Sequence, residues 1–238
     1  MKILHISDTH QYHTDLLIGQ EYTDIDFIIH SGDATNYRSP ISNFNEFKNF
    51  LDFFPGFISE DIPKIYVPGN HDSAIHAKMI TAQDFSDLGI ILLIDEGVTV
   101  EGYKIYGSPW TPTFGSWYYM SPRHKIGKYW DAIPEDTEIL VTHGPPMGIL
   151  DIAKSDLSHS HSQFNYTKQH VGDKALYTRI QNLENLKWHL FGHVHDNAES
   201  KNSGIFIPHT GPKYSNASCI TDGKFDKGLT SFGNIIII

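Results

Sequence analysis

Short apolar runs of strand length recur along the whole chain, at residues 3–6, 27–29, 65–67, 90–94, 98–100, 103–106, 139–141, 188–191, 205–207 and 235–238. Most are continuous rather than alternating. That is the pattern of strands covered on both faces, where neither side can be polar. Glu101-Gly102 separates two of these runs and predicts a tight hairpin turn. Between strands, Ser39 followed by Pro40 has the form of a helix N-cap and first helical residue. Phe44, Phe47, Leu51 and Phe54 then fall on one helical face before Pro55-Gly56 ends the run. A second helix is expected over 173–183. Strands and helices alternate early and strands dominate late, which predicts an α/β layered fold with mixed sheets. No repeat, low-complexity tract or linker divides the chain, so residues 1–238 are expected to form one domain.

Composition narrows the function classes. No apolar stretch approaches the roughly 20 residues of a membrane span. The N-terminal MKILHISDTH turns polar too early for a signal peptide, so the expected location is the cytoplasm. The single cysteine, Cys219, cannot close an internal disulfide and reads as a small core residue rather than a catalytic thiol. The formal net charge of −10, with scattered basic residues, gives no long-range attraction for a phosphate backbone or an anionic membrane. A nuclease working along DNA is thereby disfavoured. A small phosphorylated substrate is not.

Five polar clusters each directly follow an apolar run: Ser7-Asp8-Thr9-His10, His30-Ser31-Gly32-Asp33, Pro68-Gly69-Asn70-His71-Asp72, Thr142-His143-Gly144-Pro145-Pro146 and Gly192-His193-Val194-His195. Ligands of open α/β sheets bind beyond the carboxyl ends of the strands, so these clusters are placed to converge. Imidazole and carboxylate side chains suit Zn, Mn, Fe or Ni, and a carboxylate can bridge two ions. Alone, Asp8 and His10 read as a turn with a helix cap, Gly32-Asp33 as an ordinary turn, Gly69-Asn70-His71-Asp72 as a loop with self-bonding Asn and Asp, and His193 and His195 as strand-end histidines. Together, in this order, they point to a metal site.

The order DTH, GD, GNHD, a His before Gly, and GHVH resembles the calcineurin-like metallophosphoesterases. It is most similar to the branch called metallophosphoesterase domain-containing proteins, through YKIYGSPWTP at 103–112, ILVTHGPP at 139–146, FGHVH at 191–195 and NASC at 216–219. The resemblance implies a four-layer sandwich of two mixed β-sheets flanked by helices. It implies two divalent metal ions (Mn, Fe, Zn, Ni or Co, with Mn favoured). Asp8, His10 and His195 would bind one, Asn70, His143 and His193 the other, and Asp33 would bridge them. His71 would be a general acid beside the leaving group, oriented by a hydrogen bond to Asp72. The implied reaction is phosphoester hydrolysis by a hydroxide between the cations, which also neutralise the charge that repels nucleophiles from phosphate.

The expected substrate is a small nucleotide-like phosphodiester, cyclic nucleotides included. The alternatives are a phosphomonoesterase acting on nucleotides or phosphoproteins, and a nucleotide-binding regulator with weak activity. Arg38, Arg123 and Arg179 are the only arginines, and one aimed at the site would favour a monoester. Other features stay open. Asp173 stands where the branch often has cysteine. The His-rich segment 154–170 reads as a solvated loop or a lid. His5, His30 and His189 read as core histidines, with His30 able to support Asp33. His76 reads as a surface or substrate-facing residue. The aromatic loop at 110–117 reads as packing or as a base-stacking surface. Oligomeric state is not legible.

Overall fold

The computed structural model describes residues 1–19, 21–154, 168–198 and 200–238. The expected contents of the His-rich segment, including His159 and His161 and the lid reading, lie outside the described residues. In chain order the first strands are β1 (Lys2–Ile6), β2 (Phe27–His30), β3 (Lys64–Tyr66) and β4 (Ile90–Leu92), followed by the hairpin of β5 (Glu96–Val100) and β6 (Tyr103–Ser108). Two short strands, β7 (Thr111–Pro112) and β8 (Met120–Ser121), precede β9 (Ile139–Thr142). The chain continues through β10 (Ile152–Lys154), β11 (Lys168–His170), β12 (Trp188–Phe191), β13 (Gly204–Phe206), β14 (Lys213–Asn216) and β15 (Asn234–Ile237). The helices are α1 (Leu16–Gly19), α2 (Pro40–Phe53), α3 (Ser73–His76), α4 (Ala82–Ser86), α5 (Gly127–Asp131) and α6 (Lys174–Gln181).

One sheet has the order β15-β1-β2-β3-β4, and the other β13-β14-β12-β9-β6-β5. Both are mixed. Their interior strands run parallel, while β15, β13 and β5 pair antiparallel at edges. Ile3, Phe27, Ile29 and Ile65 of the first sheet pack with Ile105, Ile139, Val141 and Leu190 of the second in one buried cluster. The alternate residues Leu4, Ile28 and Tyr66 face Phe47 and Phe50 of α2 and Phe85 of α4. On the far side, Leu140, Phe191 and Tyr214 meet Trp130 of α5 and Leu176 and Ile180 of α6. The order is therefore helices, sheet, sheet, helices, the α/β four-layer sandwich expected from the sequence. Burial on both faces is why the strands read as unbroken apolar runs.

The β5–β6 turn puts Glu101 at φ 50° and Gly102 at φ 81°, the left-handed pair that a two-residue hairpin of matching twist requires. Ser39 is the N-cap of α2 but makes no side-chain capping bond. Asp173 caps α6, accepting from Leu176 N at 2.8 Å, and also accepts from Trp130 Nε1 at 2.9 Å. That is what stands where the related branch often has cysteine. Strand β14 was not legible because its sequence, KYSN, has no apolar run. Its Ser215 faces the sheet interface and bonds His5 Nδ1 at 2.8 Å. Among the described residues, no helix is long and apolar enough to cross a membrane.

Candidate metal centre

Strands β1, β2 and β3 are parallel neighbours, so the loops at their carboxyl ends lie side by side. They carry Asp8 and His10, then Asp33, then Asn70 and His71. Strands β9 and β12 are likewise neighbours and carry His143, His193 and His195. Asp8 N donates to Gly32 O at 2.8 Å and His10 N to Asp33 O at 3.1 Å, which zips the first two loops together. The sheets are joined at the same place: His193 N donates to Asp8 Oδ2 at 2.9 Å, and His143 Nδ1 donates to Ser31 O at 2.8 Å.

These loops are conformationally unusual. Asp8, His10, Asp33 and His193 all have positive φ, at 52°, 42°, 58° and 67°. Such backbone is uncommon outside glycine and persists where surrounding structure enforces it, often at functional sites. Glycine is required where loops touch. A Cβ on Gly69 would collide with Asp33 Oδ1 and His143, and one on Gly192 would collide with Ser7 and Asp8.

The side chains converge. Asp8, His10 and His195 offer ligand atoms within 4.8 Å of one another, as do Asp33, His143 and His193. Asp33 also forms such a group with His10 and His71, so it stands between the two triplets. Asp33 Oδ2 is 3.2 Å from His143 Nε2, and Asn70 Oδ1 is 3.0 Å from the same nitrogen. His195 Nε2 is 3.3 Å from Asp8 Oδ1 and 3.4 Å from His10 Nε2. Asp8, His10, Asp33, Asn70 and His143 are all buried.

The outward nitrogens fix the ring orientations. His10 Nδ1 faces Thr35 O at 3.0 Å, His143 Nδ1 faces Ser31 O, and His195 Nδ1 faces Asp222 Oδ1 at 2.9 Å. Carbonyl and carboxylate oxygens only accept, so each Nδ1 carries the proton and each Nε2 points its ligating position at the cluster. With His193, four imidazole nitrogens, two carboxylates and an amide oxygen thus face one small space. That donor set fits divalent cations.

The electrostatics follow from this crowding. Burial favours neutral carboxyls, but His195 and His143 beside Asp8 hold its carboxyl well below the usual range. Asp33 is likewise lowered, against its own burial, chiefly by His143 and His71. Conversely, His143 rises to about 9 and His195 to about 10, because Asp33, Asp8 and Asp222 outweigh the burial that would lower them. Burial dominates for His10 and His193, which fall to about 4 and about 3. Protons on His143 and His195 here balance carboxylate charge that a cation would balance instead.

His71 and Asp72 part company. His71 N donates to Asp33 Oδ1 at 2.7 Å, its Nδ1 faces Asn36 O at 3.0 Å, and Trp117 lies over its ring with centroids 3.9 Å apart. The expected hydrogen bond from His71 to Asp72 gives way to four others. Asp72 is fully buried and accepts from Tyr66 Oη at 2.7 Å, Gly69 N at 2.7 Å, Asp33 N at 2.9 Å and Thr35 Oγ1 at 3.0 Å. With those bonds it clamps the Asp33 loop to the Asn70 loop. Asn36 O takes the place assigned to it beside His71. Burial and the nearby Asp33 raise the Asp72 carboxyl to about 6.

The supporting cast was only partly legible. His30 accepts from Gly32 N at 3.1 Å and bonds Thr9 Oγ1 at 3.2 Å, bracing both the Asp8 and Asp33 loops. Asn43 and Glu46 interrupt the apolar face of α2 and were missed. Asn43 Nδ2 donates to Tyr37 O and His71 O, each at 2.8 Å, and Glu46 Oε2 accepts from Asn36 N and Tyr37 N. Polar residues at i and i+3 within a buried helical face were the available signal. Asp222 follows no strand-end motif and gave none. Cys219 is buried, which pushes its thiol up to about 12 and removes it from nucleophilic chemistry.

With the geometry in place, residues 1–197 match the family model described as calcineurin-like phosphoesterase. The chain belongs to this family. Human metallophosphoesterase domain-containing protein 1 is 33% identical over 216 residues, covering 80% of this chain and 59% of that protein. A UPF0046 protein of Caenorhabditis elegans is 28% identical over 211 residues, covering 82% of this chain and 64% of that protein. The chain thus spans about three fifths of the length of these two relatives. A solved Staphylococcus aureus structure, described as a 5'-nucleotidase in complex with alpha-ketoglutarate, shares the fold with a TM-score of 0.51 at 12% identity, over 90% of this chain and 48% of that one. The family is one of divalent-metal-dependent phosphoesterases, and Asp222 lies beyond the part of the chain that its model matches.

Proposed function

We propose that the chain is a phosphoesterase that holds two divalent cations and prefers phosphodiesters of small nucleotide-like substrates, cyclic nucleotides included. The observation that carries the reading is the pair of ligand triplets with Asp33 standing between them. Asp8, His10 and His195 would hold one ion, Asn70, His143 and His193 the other, and Asp33 both. Oxygen and nitrogen donors without thiolate suit Mn, Fe, Zn, Ni or Co, with Mn favoured. When bound, the ions supply charge neutralisation for the phosphoryl group and lower the pKa of water toward about 7.

The chain's own groups do the rest. His71 would donate a proton from Nε2 to the departing alkoxide, its orientation fixed by the Nδ1 contact to Asn36 O and by Trp117. Asp72, Asn43 and Glu46 hold the loops that carry Asp33 and His71, so the reacting groups need little rearrangement. Phe114, tilted over His193 with centroids 5.1 Å apart, and Trp117 provide aromatic surface beside the cluster for a nucleobase. Two of the three arginines are set against carboxylates, Arg179 against Glu135 and Arg123 3.6 Å from Asp173. Arg38 bonds Ser116 and lies over Trp117, which covers His71. It is the arginine through which a monoester's second non-bridging charge would be met, so the substrate panel decides between the two readings.

The test is a panel of bis-p-nitrophenyl phosphate, cyclic nucleotides and p-nitrophenyl phosphate, with manganese and with chelator. Diester turnover that chelator abolishes is expected. Faster monoester turnover would transfer the assignment to a phosphomonoesterase, and no turnover of any ester would reject both. His71→Ala should keep its metal and lose about a hundredfold in turnover of esters with poor leaving groups, with a smaller loss on p-nitrophenyl esters. Loss of metal from that variant would make His71 a ligand with His10 and Asp33.

A further inference from the structure

We propose that the lateral face formed by β13 and β15 is an interface for a second copy of this chain, which makes the protein a two-fold symmetric dimer. None of the residues of this face is among the proposed metal ligands, so the dimer stands or falls independently of the phosphoesterase reading.

Both sheets end on the same side of the sandwich. β13 is the last strand of one order and β15 of the other. Asn234 ties the two edges, its Nδ2 donating to Asn216 O at 2.8 Å, Ser215 Oγ at 2.9 Å and Gly204 O at 3.3 Å. From there both strands run away from the ligand-bearing strand ends. β13 goes from Gly204, opposite Asn216, to Phe206, opposite Tyr214, and β15 from Asn234, opposite His5, to Ile237, opposite Lys2. Five large apolar residues stay uncovered along them: Ile205, Phe206, Ile207, Ile235 and Ile237, the last at 67% exposure. Among the described residues, 205–207 is the only place where three such residues in succession are exposed. Charge is missing as well. Residues 202–208 and 228–238 carry no charged side chain, in a chain of which 19% is charged.

Free sheet edges are usually guarded by charge, above all by lysine, because they pair readily with other chains. An edge that is apolar and uncharged marks a contact surface. Three features select a second copy as its occupant. The outer backbone groups of β13 face no strand among the described residues, and covering them demands hydrogen-bond partners. β13 of a second copy, run antiparallel across a two-fold axis, brings those partners together with matching apolar side chains. Charge points the same way. On a chain of net charge −10, a basic partner gains nothing from an uncharged face, whereas an equally acidic copy meets least repulsion there. Size agrees too. The five residues expose on the order of 500 Å² of apolar surface, close to the apolar share of the roughly 800 Å² that each partner gives to a standard interface. Antiparallel pairing turns the strand ends of the two copies in opposite directions, so each candidate metal centre stays open and complete within one chain.

Sedimentation equilibrium at about 50 µM, above the micromolar Kd of the weaker interfaces of this size, should give twice 27.0 kDa. Ile207→Lys and Ile237→Lys put charge on the face at exposed positions, and each should weaken the dimer at least about tenfold. The double variant should sediment at 27.0 kDa. Ile18→Lys, on α1 and at the most exposed of the large apolar residues, should leave the dimer intact. A monomeric wild type at that concentration overturns the inference. So does a dimer that the double variant preserves, or one that Ile18→Lys disrupts equally. If the double variant does not fold, cross-linking decides, because a cysteine adds no charge and the native Cys219 is buried. A short bismaleimide should join Ile207→Cys chains into covalent dimers and leave Ile18→Cys chains single. Equal cross-linking of the two overturns the inference.

Discussion

A candidate ligand is only as good as what holds it. The proposed ligand His195 illustrates this: its ring is aimed by Asp222, 27 positions further along the chain, through Nδ1. Outer partners of this kind typically contribute 10–100-fold in metal affinity. Asp222→Ala should therefore weaken manganese binding by about that factor, with partial recovery in Asp222→Asn, which keeps an acceptor; metal titration by calorimetry checks it, and unchanged affinity refutes it. His189 carries a second prediction at this scale. Its Nε2 donates to Thr142 Oγ1 at 2.8 Å, and burial lowers it to about 3. A histidine kept neutral in the fold contributes stability above its unfolded pKa of about 6.5, and that stability drains as pH falls toward the folded value. Between pH 7.5 and 5.5, wild-type protein should lose about 1 kcal/mol more than His189→Gln, measured by denaturant unfolding at both pH values. Equal losses would show that His189 does not titrate this way.

At the scale of elements, α2 separates structural from site-directed residues on a single helix. Phe50 is fully buried and stacks on Phe54 with centroids 4.7 Å apart. Asn43, two turns earlier, bonds His71 O, Tyr37 O, Thr35 Oγ1 and Ala74 N. Phe50→Ala should cost about 3–5 kcal/mol of stability through cavity formation, and, since it reaches the site only through the edge contact with His30, lower kcat/KM by less than about threefold. Asn43→Ala should cost about 1–3 kcal/mol, by leaving buried groups unsatisfied, but reduce kcat/KM at least tenfold because it frees the His71 loop. Paired unfolding and kinetic measurements distinguish them. The same helix marks how far the sequence could be read. Its cap at Ser39, its start at Pro40 and its apolar face follow from local chemistry, as do the strands that carry the ligands. Asn43 and Glu46 do not, because their partners are backbone atoms of loops whose left-handed residues, Asp8, His10 and Asp33, no periodicity foretells. Strand β14 was hidden for a related reason: Ser215 is buried by virtue of His5, 210 residues away.

For the molecule as a whole, the distribution of ligands matters more than their number. Asp8, His10, Asp33 and Asn70 come from the first sheet, and His143, His193 and His195 from the second, so cations held as proposed would staple the sandwich across its sheet interface. Ions that bind only the folded chain stabilise it by mass action, about 2.7 kcal/mol each at a hundred times Kd. Chelation should lower Tm by on the order of 10 °C for a chain of this size. A Tm indifferent to chelator would mean that the sheets hold together without help from the site. The seven proposed ligands were legible as a set because each follows a strand, but the sequence alone left their convergence to be demonstrated by the pairing order of β1, β2 and β3 and of β9 and β12.

The most direct test of the whole account is anomalous diffraction from crystals grown with saturating manganese. Two peaks are expected, one among Asp8, His10 and His195 and one among Asn70, His143 and His193, with Asp33 oxygens within coordination distance of both. A single peak, or two that Asp33 does not join, would contradict it.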